Sequence, residues 1–150
     1  MKQLFDASVQ DEVRARLATL RADHERQWGT MTPAQALAHC AAGLRMTLGE
    51  IRPPRVFIGR VLGWVIKPLA LGNDAPMRRN SPTVPTIAVK DARDFVVERQ
   101  GLSAALDRLG DAGPAGCTTF PHPFFGRLMP QEWGILMYKH LDHHLRQFGV

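Results

Sequence analysis

Apolar residues recur along most of the chain at three- and four-residue steps, the spacing of one helical face. No run alternates in the manner of a half-buried strand. Val9, Val13, Leu17 and Leu20 form the first such stripe, with Arg14, Arg16 and Arg21 on other faces. An amphipathic helix is therefore predicted from about Ser8 to Glu25. A second opens at Thr32-Pro33, where threonine caps, proline suits the first helical position and Gln35 follows three residues after the cap. It is predicted over Ala34–Gly49 and is rich in alanine (Ala34, Ala36, Ala38, Ala41, Ala42). Such small side chains let a neighbouring helix come close or leave space between helices.

Pro53-Pro54 breaks the chain, and Arg55 to Ile66 reads as a further short helix ended by Pro68. Leu71 to Thr86 has no helical period and holds Gly72, Pro76, Pro82 and Pro85, which predicts a long irregular loop. The next helix is predicted from about Asp91 to Leu109, with Phe95, Val96, Leu102, Ala105, Leu106 and Leu109 as its apolar positions. A Gly/Pro-rich loop and the stiff stretch Phe120-Pro121-His122-Pro123-Phe124-Phe125-Gly126 follow. The last helix is predicted from Pro130 to about Phe148. Four long amphipathic segments with long connections point to an all-α, four-helix bundle, with one extra short helix and a Pro-rich loop between helices two and three. The chain of 150 residues is expected to be one domain, 1–150.

Composition narrows the function classes. Hydrophobic residues make up 45% and charged residues 22%, enough for a core without disulfides. Cys40 and Cys117 form no C-x-x-C pair, and Cys40 falls on the side of Leu37 and Leu44 as a core residue, which suits a reducing cytoplasm. No signal peptide is expected at the start of the chain, since Lys2, Asp6, Asp11 and Glu12 interrupt any apolar run. The apolar stretch Val56 to Leu71 contains Arg60, Lys67 and Pro68 and falls short of the ~20 residues of a membrane span, so no membrane is expected. The net charge of +5 is carried by arginines with only weak clusters at Arg52/Arg55/Arg60 and Arg78-Arg79. Without a basic stripe or interleaved aromatics, nucleic acid is not the expected partner. Arg78-Arg79 instead suits a carboxylate or phosphate on a small molecule. Neither a G-x-S-x-G elbow nor a Gly-rich phosphate loop occurs.

Histidine changes the picture most. Of six, His140, His143 and His144 lie within five residues. At ~100° per residue, His140 and His144 share the middle of the last helix's apolar stripe with Trp133 and Met137, and His143 falls at its edge. Asp142 points away and is no general base for the pair. Two histidines at i, i+4 can aim both imidazoles at one ion ~2.0–2.1 Å away. The best third ligand is His39, on the small-residue stripe of the second helix beside Gly43 and Met46. Three neutral imidazoles leave a coordination position for water or substrate. Gln35, one turn before His39, and Gln147, three residues after His144, are candidates to orient these rings, because a ligating histidine's other N–H needs an acceptor. His122, between two prolines, and His143 are further candidates toward metal or substrate, whereas His24 is expected to be exposed.

These residues carry a resemblance. Trp28-Gly29-x-Met31-Thr32-x-x-Gln35-x-Leu37-x-His39 resembles the start of the second helix in the DinB/YfiT-like metalloenzyme superfamily. His140-x-x-His143-His144-x-x-Gln147 resembles its C-terminal H-x-x-H-H-x-x-Q motif. His122-Pro123-Phe124-Phe125-Gly126, Glu132-Trp133-Gly134 and the segment from Lys139-His140 to Phe148-Gly149 resemble the bacterial family called domain of unknown function 1569. The resemblance implies an antiparallel four-helix bundle, a homodimer, and a divalent metal (Zn, Ni, Fe or Mn) on His39, His140 and His144. It further implies a small-molecule substrate, with a low-molecular-weight thiol as co-substrate in a transferase or isomerase reaction. The contrasting expectation is a non-enzymatic dimeric binding module whose histidines are structural.

Overall fold

The computed structural model describes residues 1–150 and contains five α-helices and no sheet. They are α1 (Ala7–Thr19), α2 (Pro33–Thr47), α3 (Phe57–Leu71), α4 (Phe95–Ala112) and α5 (Pro130–Gln147). Short 3₁₀ turns lie at Pro85–Ile87 and Pro114–Gly116. Helices α1, α2, α4 and α5 are the four main members of a helix bundle, and α3 is the extra one. A core of 23 buried apolar residues draws on all four main helices, including Val13, Leu44, Leu106 and Trp133. Helix α2 packs most extensively on α4 and also on α5.

Local chemistry sets most boundaries. The Thr32 hydroxyl accepts from the Gln35 amide, and the Gln35 side chain accepts in return from the Thr32 amide, a complete capping box. Asp94 caps α4 by accepting from the Val97 amide at 2.9 Å. That cap starts α4 four residues later than the sequence predicts, because Asp91 pairs with Arg93 outside the helix. Val96, predicted to face inward, is exposed. Helix α1 ends at Thr19 rather than near Glu25. Leu20 turns into extended backbone and is itself buried, and no apolar residue follows that would hold another turn on the bundle.

Helix α3 runs through Pro68 instead of stopping before it. Trp64, whose carbonyl loses its partner to the proline, is exposed, so water can satisfy it. Its end is held from outside: Asn73 donates to the Leu69 carbonyl at 2.6 Å, and Lys139 of α5 donates to the Ala70 carbonyl at 2.6 Å and to that of Asn73, just beyond the helix, at 2.9 Å. On its inner face Gly59 and Gly63 meet the Pro123–Phe125 loop. A Cβ on Gly59 would stand 2.6 Å from the Phe124 backbone, and one on Gly63 closer still. The α3 seat therefore depends on glycine at those two positions. No helix is long and apolar enough to cross a membrane.

Candidate metal centre

The fold brings three histidines from two helices into one cluster. His39 of α2 and His140 of α5 are buried, and His144 of α5 is half-buried. One ring nitrogen from each lies within 4.8 Å of the others. Ring centroids stand 4.6 Å apart for His39 and His140, 4.9 Å for His39 and His144, and 5.0 Å for His140 and His144, all edge-on. Close approach of α2 makes this room: Gly43 faces the His140 ring, and a Cβ there would stand 3.1 Å from its Nδ1.

Hydrogen bonds fix the tautomers of two rings. His39 donates from Nδ1 to the Ile87 carbonyl at 2.8 Å, which leaves a lone pair on Nε2. Gln147 donates from Nε2 to the Trp28 carbonyl at 2.8 Å, which turns its Oε1 to accept from His144 Nδ1 at 2.9 Å. His144 therefore also keeps a lone pair on Nε2. The Nε2 atoms of His39 and His140 face each other at 2.7 Å, and His140 Nδ1 is buried without any partner. His140 Nδ1 lacks a partner in either tautomer; a proton there sets two lone pairs against each other across the 2.7 Å gap, and a proton on Nε2 lets His140 donate to His39. With the first tautomer all three rings present Nε2 lone pairs, a donor set that fits a divalent ion.

Electrostatics keep the three rings neutral. Burial pushes the His39, His140 and His144 imidazoles below the ordinary histidine range, His144 to about 3. The neighbouring histidines add to the depression of His140 and His144, while the bonds from Ile87 and Gln147 oppose it in part. At neutral pH all three are uncharged.

The other predicted residues divide. Gln147 touches His144 directly. Gln35 does not reach His39: its side chain closes the capping box and donates to the Asp91 carbonyl at 3.0 Å, so its work is to hold α2. His122 stays outside the cluster but is buried rather than exposed. Its Nδ1 accepts from the Phe124 and Phe125 amides at 3.1 and 3.2 Å, and its ring stacks on Phe125 and meets the Trp133 edge. Burial first, and then Arg55, hold its pKa down at about 4. His143 packs against His144 on one side and Trp28 on the other, and the Trp28 indole donates to its Nε2 at 3.4 Å. A cavity of about 360 Å³ opens beside it, lined by Trp28, Met77, Arg79, His143 and Arg146. Arg79 lies over the Trp28 ring at 4.3 Å and pairs with no carboxylate, whereas Arg146 pairs with Asp142 at 2.8 Å. Asp142 also holds Arg16 at 2.8 Å, away from the histidines. Cys40 is buried in the core, and His24 is only partly exposed, accepting from the Arg21 amide.

Two participants escape a reading of side chains. The Ile87 carbonyl orients His39 from the Pro-rich loop, and a backbone acceptor leaves no mark in residue type. Lys139 is buried beside His140 in sequence, and its ammonium secures α3 through backbone carbonyls.

The profile of the family described as "Protein of unknown function (DUF1569)" matches residues 2–149. The chain belongs to that family. No curated protein matches it. No solved structure does so either.

Proposed function

We propose that His39, His140 and His144 hold a divalent metal and that the protein is a metal-dependent enzyme acting on a small molecule. The observation that carries this reading is the convergence of three neutral imidazoles in a buried cluster, two of them with fixed tautomers. Zn, Ni, Fe and Mn all accept three imidazoles, and the donor set does not choose among them. Bound there, such an ion lowers the pKa of a water or thiol at its open position.

The chain's own residues supply the rest. Ile87 and Gln147 hold two of the rings in the ligating tautomer. His143 stands at the cavity wall as a neutral imidazole, its pKa lowered mainly by burial, with its Nε2 already accepting from the Trp28 indole. Arg79 gives that cavity a positive charge with no carboxylate of its own, which suits a carboxylate or phosphate on the substrate.

The protein's thiols do not supply the nucleophile. Burial pushes the Cys40 thiol far above its ordinary value and the Cys117 thiol up to about 11. A diffusible small thiol fits, and together with the resemblance to DinB/YfiT-like metalloenzymes it favours a thiol-dependent transferase or isomerase. We further propose a single-domain cytoplasmic protein that works as a homodimer.

Metal analysis of protein purified without chelator tests the reading. Wild type is expected to carry one ion per chain and His140→Ala almost none. Wild type without metal, or equal metal in both proteins, favours the binding module with structural histidines. A screen of small thiols and electrophiles on metal-loaded protein tests the reaction class. Turnover that requires both metal and thiol is the expected result; none with any pair would remove the thiol reading.

A further inference from the structure

The inner face of α3 is fully engaged by the Phe124 loop and Lys139, yet its outer face meets nothing. Phe57 is 80% exposed, Trp64 75%, Leu69 68% and Ile58 57%, with Val61, Leu62 and Val65 exposed among them. On a helical wheel these seven cover one broad arc centred near Val61, opposite the arc of Gly59 and Gly63. A contiguous apolar face of this kind marks an interaction surface.

Exposed arginines without a carboxylate partner stand before and on the helix at Arg52 and Arg60, whereas Lys67 pairs with Glu132 at 2.8 Å and Arg55 turns inward to the Gly59 carbonyl. Residues 51–80 hold Arg52, Arg55, Arg60, Lys67, Arg78 and Arg79 against one acid, Asp74. This stretch alone therefore accounts for the formal charge of +5, and the basic and acidic residues of the remaining chain balance. Arg60 lies at the edge of the apolar arc, exposed and with no carboxylate partner. Helix α3 itself contains no acidic residue.

We propose that α3 is a membrane-surface helix that docks the protein on anionic lipid. Phe57, Val61 and Trp64 enter the boundary between headgroups and acyl chains, while Arg60 stays at the level of the phosphates. Burial of aromatic and aliphatic side chains supplies one part of the attraction and the positive stretch the other. A second copy of the chain suits this face less well. Pairing two α3 faces would bring the unpaired Arg60 of each copy together with no acid on either helix to offset them. Nucleic acid would leave Ile58, Val61, Leu62 and Leu69 without a partner.

The test is co-sedimentation of the full chain with vesicles. One set is phosphatidylcholine alone; the other is equal parts phosphatidylcholine and phosphatidylglycerol. The expected result is pelleting with the mixed vesicles, a blue shift of tryptophan emission, and loss of binding as salt rises. Trp64→Glu and Phe57→Glu lie on the exposed face and leave the core untouched, and each is expected to weaken partitioning about tenfold or more. Failure to pellet with mixed vesicles, or equal pelleting with both sets, overturns the proposal. So does concentration-dependent dimerisation that Trp64→Glu abolishes in protein that ignores vesicles, which would assign the face to a second copy.

Discussion

At the residue scale, two glutamines of similar sequence standing do different work. Gln147 accepts from His144, whereas Gln35 closes the cap of α2. Gln147→Leu is expected to weaken metal affinity about 10- to 100-fold. Gln35→Leu should leave that affinity unchanged and cost about 1 kcal/mol of stability instead. Competition with a chromophoric chelator reads the first effect and urea unfolding the second. The spacing of His140 and His144 was enough to place both on one face of α5. What spacing could not separate was Gln35 from Gln147, since each sits within one turn of a histidine. The difference lies in Thr32, whose cap claims Gln35, and in the Trp28 carbonyl, which turns Gln147 toward its ring. His122 was similarly ambiguous, because the sequence does not reveal that Pro123 and the aromatics behind it bury its ring as the acceptor of a tight turn.

At the scale of elements, α3 rests on backbone contact rather than on side-chain packing. A methyl group at Gly63 would run into the Phe124 carbonyl, and the loop would have to give way. Gly63→Ala is expected to destabilise by about 1–3 kcal/mol, as overpacking does, even though alanine is the better helix former. Chemical denaturation measures this, and an unchanged midpoint would mean that α3 does not sit on the loop as described. Helices α2 and α5 were legible to within about a turn, because each begins at a proline with strong apolar periodicity behind it. The limits of α1, α3 and α4 were less so. Leu20 reads as one more helical position although it turns into the core. Pro68 reads as a stop although α3 runs on through it to Leu71. The Pro-rich loop reads as a connector although its Ile87 carbonyl reaches His39.

At the scale of the molecule, the buried histidines make stability depend on pH in one direction. His122, with a folded pKa of about 4, and His144, at about 3, are both below the ordinary 6.5 of the unfolded chain. The unfolded state therefore takes up protons first as pH falls. The stability these neutral rings contribute is full above about pH 6.5 and is lost progressively through about 4 and then 3. For His122 the difference amounts to about 3 kcal/mol. Metal-free wild type should accordingly unfold more readily as pH falls from 7 to 4, and His122→Asn should flatten that slope. Equal slopes in thermal melts across that range would contradict the protonation state assigned to the ring. The pattern of hydrophobic positions made the all-α bundle legible as a whole, because four amphipathic stripes have few other ways to be buried. The exposure of the α3 face, by contrast, was not legible, since an apolar run carries no sign of which side lacks a partner.

The central claim is that three histidines from α2 and α5 share one ion. Anomalous diffraction at the metal's absorption edge, from crystals of protein loaded with one equivalent, tests it most directly. A single peak is expected about 2.0–2.1 Å from Nε2 of His39, His140 and His144 together. No peak among those three rings, or a peak held by other residues while they keep their mutual hydrogen bond, would contradict it.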